Sequence, residues 1–197
     1  CMRLRARRPP VTPCAMRRGG ILLHPTALPG AGPCGDLGSG AVRFLDWLHE
    51  AGCGTWQVLP LNPPGGGFSP YDSPSAFAMG THLLSVEQLA ADGLLSTSEA
   101  RWGGVAGHHV DVAALDAWHA PLITRAAERL ATEAPDAVSQ FADAHPWVHD
   151  WALYRALLID KRVGTWTALS PGLRDRHPGS ITSARRRLGS SVRREIA

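Results

Sequence analysis

Two short apolar runs, Gly20-Ile21-Leu22-Leu23 and Thr55-Trp56-Gln57-Val58-Leu59, flank one amphipathic stretch from Ser39 to Ala51. That spacing leaves few folds open. Pro25 follows the first run and Pro60 closes the second, so each reads as a short buried strand. Between them Phe44, Leu45 and Leu48 fall on one helical face, Ser39 is placed to cap the helix and Gly52 to end it. Two short strands joined by a helix predict a right-handed crossover, the repeating unit of a parallel α/β sheet.

The rest of the chain divides around this unit. Residues 1–18 are rich in Arg and Pro, lack periodicity and begin without methionine. They read as a disordered leader, as codons upstream of a start at Met16, or as a transit peptide poor in serine. Residues 19–84 carry the crossover unit, with a loop from Pro29 to Gly38 and a Gly/Pro/Ser-dense loop from Pro63 to Pro74. The second loop holds Phe68, Tyr71 and Asp72 directly after a strand, where α/β barrels place ligand-contacting side chains. Residues 85–197 are helix-rich: Val86 to Leu95, Leu115 to Thr132, Ala137 to Ala144 and Trp147 to Asp160 have helical spacing. Leu153, Leu157 and Ile159, with Trp147 and Trp151, mark an apolar stripe on the last.

Several function classes drop out. No apolar run approaches the roughly 18 residues of a membrane span, and no secretory signal is apparent. The net charge of +3 comes from clusters at the two ends, Arg3 to Arg18 and Arg185 to Arg194. Neither interleaves aromatics, so they read as a solvated leader and a solvated helix face rather than a nucleic-acid surface. Cys1, Cys14, Cys34 and Cys53 show no metal spacing, and the neighbours His108 and His109 point apart. No metal and no cofactor is expected.

Gly30-Ala31-Gly32-Pro33-Cys34-Gly35 spells a dinucleotide fingerprint, but Pro33 removes a backbone donor. His24 to Pro29 also intervene between strand and glycines, so dinucleotide binding is set aside. Gly65-Gly66-Gly67 lacks the Lys-Ser/Thr of a phosphate loop, and Arg174-Asp175-Arg176-His177 reads as a charged turn. Retaining chemistry on sugars needs two carboxyl groups about 5–5.5 Å apart. Asp36 and Asp72 are the acids in the two strand-following loops, Asp36 placed to orient the next helix and Asp72 to hydrogen-bond sugar hydroxyls.

Taken in order, Gly20 to Pro29, Gly35-Asp36-Leu37-Gly38, Trp56-Gln57-Val58-Leu59-Pro60-Leu61, Ser69-Pro70-Tyr71 and Ser75-Ala76-Phe77-Ala78 resemble the opening of the 4-α-glucanotransferases, the family of amylomaltase and the plant disproportionating enzyme. The resemblance continues more loosely through Asp92 to Leu95, Val110-Asp111, Trp151 to Tyr154 and Leu173 to Arg176. It covers nearly everything after Arg18 and matches the first third of a family member of usual length.

The resemblance implies the start of a (β/α)₈ barrel followed by a mostly helical inserted subdomain, an incomplete domain. It also implies transfer of α-1,4-glucan segments to a new 4-hydroxyl with retention, in starch, glycogen or maltodextrin metabolism. The implied partner is an α-1,4-glucan, and the implied location is the cytoplasm, or a plastid if the leader is a transit peptide. On that analogy Tyr71 resembles the aromatic that stacks on the donor sugar, and Ser69 a hydroxyl contact beside it. Gly80 stands where the family has Asn, and Cys34 where an aliphatic residue is common. The nucleophilic Asp, the acid/base Glu and a third Asp belong to later strands, so no catalytic residue is expected here and this chain alone should be inactive. The rival reading is a non-catalytic carbohydrate-binding or regulatory short form.

Overall fold

The computed structural model describes residues 19–104 and 109–197; the leader, Cys1, Cys14 and His108 lie outside them. Two strands among these residues are parallel neighbours. Strand β1 (Gly20–Leu22) pairs with β2 (Thr55–Gln57), with Ile21 opposite Trp56. Hydrogen bonds from Leu23 N–H to the Gln57 carbonyl (3.0 Å) and from Gly54 N–H to the Gly19 carbonyl (3.0 Å) extend the ladder at both ends. The Trp56 indole N–H donates to the Leu23 carbonyl at 2.7 Å. Both strands are shorter than the apolar runs that encode them. Pro25 and Pro60 stand just beyond, and neither has an N–H to continue a ladder.

Helix α1 (Ser39–Glu50) connects them, but Ser39 does not cap it. Gly38 is the cap residue, its N–H held by the Asp36 carboxylate at 2.8 Å, while the Ser39 hydroxyl donates to Glu87 at 3.1 Å. The Asp side chain two residues upstream makes the turn that a capping serine would otherwise make. Only glycine fits at 38, because a side chain there would run into Ser85. Gly52 ends the helix with φ +69°. Leu48 is buried, but Leu45 is 49% exposed, as is Leu22 at 57%, so the two-stranded unit leaves apolar surface open on its outer side.

The remainder is helical: α2 (Val86–Ala91), α3 (Val112–Glu133), α4 (Pro135–Ala144), α5 (Trp147–Lys161), α6 (Pro171–Arg174), α7 (Pro178–Arg187) and α8 (Gly189–Ile196). Helix α2 stops earlier than its pattern predicts. Gly93 at φ +81° turns the chain back, so Leu95 packs with Val86, Ala100, Leu122 and Ala126 in one core cluster. Helix α3 starts earlier, because the Asp111 carboxylate caps it through Ala114 N–H at 3.0 Å. A second cluster joins Leu153, Ala156 and Leu157 of α5 to Leu169, Ala184 and Leu188. Ile159 was expected on the stripe of Leu153 and Leu157 but is 51% exposed. Two residues beyond Leu157, it lies about 200° around the helix, on the other side.

Helices α7 and α8 carry the carboxyl-end arginines, and several of these side chains, with Arg176 from the turn before α7, reach along the surface to acids. Arg176 and Arg185 both bind Asp150 (2.8 and 2.9 Å), Arg187 binds Asp160 (2.6 Å), and Arg194 binds Glu128 (3.2 Å). Such exposed pairs set the register of α7 and α8 on α5 and α3 more than they stabilise it. Arg174 and Asp175 bond to each other at 2.8 Å in the short turn between α6 and α7. No helix among the described residues is long and apolar enough to cross a membrane.

Candidate functional site

The chain leaving β2 forms one long loop, tied at its base. Gly80 N–H donates to the Leu61 carbonyl at 2.8 Å, and the Asn62 side-chain amide donates to the Ala78 carbonyl at 3.0 Å. Nearer the tip, Asp72 N–H reaches the Ser69 carbonyl (3.4 Å), and one Asp72 carboxylate oxygen accepts from Gly66 N–H (3.1 Å). The turn between them is sharp: Gly67 has φ +68° and Phe68 φ +60°, both left-handed. A side chain at Gly65 would overlap the Asp72 carbonyl, so this close approach also requires glycine.

This arrangement displays the three expected contact residues unequally. Tyr71 is 75% exposed, its backbone N–H donating to the Ser69 hydroxyl oxygen at 3.3 Å. Ser69 is half-buried beneath it. Asp72 is exposed, with one carboxylate oxygen spent on closing the loop. Further along, Ser75 accepts from Phe77 N–H (3.2 Å) and Ala78 N–H (3.0 Å), and the Phe77 ring stacks on Trp147 of α5 with centroids 5.8 Å apart. The loop therefore bears directly on the helical layer.

Under the loop lies a cleft of about 700 Å³ whose wall includes Pro64, Phe68, His82, Asp116, Trp151 and Arg155; Ser69, Tyr71 and Asp72 stand outside it, on the loop's outer side. Beside it, three histidines gather from distant parts of the chain. The His24 ring bonds the Thr26 hydroxyl at 2.9 Å, just beyond the end of β1. His119 of α3 is buried against the Leu84 carbonyl at 3.1 Å. His82 packs edge-on against Phe68 with centroids 4.9 Å apart. Burial lowers all three; His82 falls to about 4, with the charges of His24 and His119 adding to the effect of burial. At neutral pH they are neutral polar packing groups. Burial raises the Asp36 carboxyl, with a smaller push from Glu87, and burial then Asp36 push the Cys34 thiol up to about 11.

Sequence reasoning singled out the loop but not this histidine layer. His24 sits inside a recognised motif, whereas His82 and His119 have no spacing that would pair them with it. Asp36 and Asp72 have separate partners, Gly38 for one and Gly66 for the other, so they do not work together as an acid/base pair. Among the described residues no group of three or more His, Cys, Asp or Glu side chains is placed to hold a metal ion. The glycines of the fingerprint-like run have packing roles: a side chain at Gly35 would overlap the Pro25 and Leu28 carbonyls, and one at Gly32 the Trp118 ring.

The comparisons with known proteins agree with one another. The model of the 4-alpha-glucanotransferase family matches residues 23–196. The chloroplastic/amyloplastic 4-alpha-glucanotransferase of Solanum tuberosum is 41% identical over 84% of this chain and 30% of its own length. That of Arabidopsis thaliana is 37% identical over 86% of this chain and 30% of its own, and the Thermus thermophilus enzyme 36% identical over 89% and 36%. Among solved structures, the amylomaltase from Streptococcus agalactiae in complex with acarbose superposes with a TM-score of 0.83 at 27% identity, over 91% of this chain and 38% of that one. The chain thus spans about a third of the length of the relatives it matches. A family match over almost all the described residues, on a backbone shared with an amylomaltase, makes this chain a member of the 4-alpha-glucanotransferase family.

Proposed function

We propose that this protein takes part in transfer of α-1,4-glucan segments to a new 4-hydroxyl, with Ser69, Tyr71 and Asp72 lining part of the sugar cleft. The observation that carries this reading is Tyr71, held 75% exposed at the tip of a tied loop that follows the second of two parallel strands. In this reading residues 19–84 supply the first two units of a (β/α)₈ barrel, with the open apolar face of β1 and α1 covered by later units. Residues 85–197 form an inserted helical layer that buttresses the loop through Phe77 and Trp147. The location is the cytoplasm, or a plastid if residues 1–18 act as a transit peptide.

The chemistry assigned to the whole protein is double displacement. A carboxylate attacks the anomeric carbon and the leaving glucan takes a proton from a carboxylic acid. A second glucan's 4-hydroxyl then breaks the glycosyl–enzyme bond with that acid acting as base. The residues described here orient the sugar. The Tyr71 ring offers a flat face to the C–H patch of a pyranose, and the Ser69 hydroxyl and the Asp72 carboxylate offer hydrogen bonds to its hydroxyls. With Asp36 and Asp72 unpaired, the chain of 197 residues should bind glucan without turning it over.

Electrophoresis through a gel containing soluble starch tests the binding, and incubation with maltotriose tests the turnover. The expected result is retarded migration together with no ladder of longer maltodextrins. Migration unaffected by starch would remove the sugar-cleft reading, and a ladder would show that the reacting carboxylates lie within these residues.

A further inference from the structure

Phe68 is the least comfortable residue in the sugar loop. A bulky side chain at φ +60° is a genuine outlier, and such a conformation persists only where the surroundings hold it. The backbone holds it only by long bonds: Gly65 N–H reaches the Ser69 carbonyl at 3.4 Å and Phe68 N–H the Gly65 carbonyl at 3.2 Å, while Gly67 before it is also left-handed with open space on its side-chain side. What meets the Phe68 ring is the edge-on imidazole of His82 at 4.9 Å.

His82 is itself set in place by its neighbours in the chain. It lies in the short turn Thr81–Leu83, whose next residue, Leu83, is fully buried. Gly80 leaves room for the ring, since any side chain at 80 would overlap it, and Gly80 is tied to Leu61 at the loop's base. The imidazole thus couples the anchored end of the loop to the strained residue that immediately precedes Ser69.

We propose that His82 is a positioning residue for the sugar loop, its ring edge on Phe68 holding residues 65–72 in the shape that presents Ser69 and Tyr71. It touches no substrate in this scheme. The inference rests on the sugar-cleft reading for its functional consequence, while its structural part stands on the loop alone. An aromatic edge is the property required, so a phenyl ring in place of the imidazole satisfies it.

The test is residue-resolved amide hydrogen exchange on the full chain, with starch-gel retardation run beside it. H82A is expected to raise exchange at Gly66, Phe68 and Asp72 by about two- to tenfold, the value of one aromatic pair. Amides of α3 should be unchanged, and retardation by starch should weaken. H82F is expected to restore both readouts, which a merely space-filling loss elsewhere would not predict. Loop exchange in H82A equal to that of the unaltered chain, or H82F behaving like H82A, would overturn the proposal. Should H82A fail to fold, F68L removes the other half of the pair, and the same three amides must exchange faster. Tyr71→Ala separates the two readings. If it abolishes retardation while H82A changes neither readout, the positioning role fails alone; if it leaves retardation intact, the sugar-cleft reading fails.

Discussion

Leu83→Ala should lower the free energy of unfolding by about 2–5 kcal/mol, the usual range for emptying a fully buried leucine site. Leu83 is 0% exposed and occupies the joint between the strand unit and the helices. Its carbonyl accepts from Leu37 N–H at 3.0 Å, tying in the segment that leads to α1. Its own turn, Thr81–Leu83, closes the base of the sugar loop and packs against α3. Three segments of the chain meet at this turn, so the site has little freedom to collapse, and the upper half of the range is expected. Urea unfolding followed by far-UV circular dichroism measures it, as a drop in midpoint at constant slope. Leu45→Ala is the control. At 49% exposure it should move stability by no more than about 0.5 kcal/mol. Equal midpoints for Leu83→Ala and the unaltered chain would mean that the strand unit and the helices do not unfold together.

Much of the first unit was legible because its signals are local. Glycine, proline and two apolar runs of four or five residues delimit β1, α1 and β2, and the observed elements fall inside those bounds. The errors came where a distant residue decided a local question. Ser39 lost its capping role because Asp36 already held Gly38, and its hydroxyl went to Glu87 instead. Helices α7 and α8 were not delimited because their sequence is dominated by arginine. What orders them lies far away in the chain: the apolar side of α5, on which Ala184 and Leu188 pack, and the acids of α3 and α5 at positions 128, 150 and 160. The candidate site shows the same division. Ser69, Tyr71 and Asp72 are consecutive enough to be recognised as one loop, while the layer beneath it is assembled from His24, His82 and His119 by folding alone.

Tyr71→Ala should weaken binding of this chain to maltotriose or starch by about ten- to a hundredfold, with stability changed by no more than about 0.5 kcal/mol. The separation follows from exposure. With 75% of its surface in solvent, the ring contributes little to the core, so its removal leaves the fold as it was. In the complex the same ring would cover one face of a pyranose, and an aromatic face is the largest single apolar contact the loop can offer. Tyr71→Phe keeps that face and loses only the phenolic hydroxyl, so its affinity should stay within a few-fold of the unaltered chain. Ser69→Ala is expected to fall between them, because Ser69 Oγ accepts the Tyr71 N–H at 3.3 Å and, in the proposed reading, also meets a sugar hydroxyl. The order of the three variants is therefore the measurement that matters. Stacking requires Ala at 71 to be far worse than Phe at 71. If Phe and Ala at position 71 bind alike, the hydroxyl rather than the ring makes the contact, and the flat-face account of this loop is wrong.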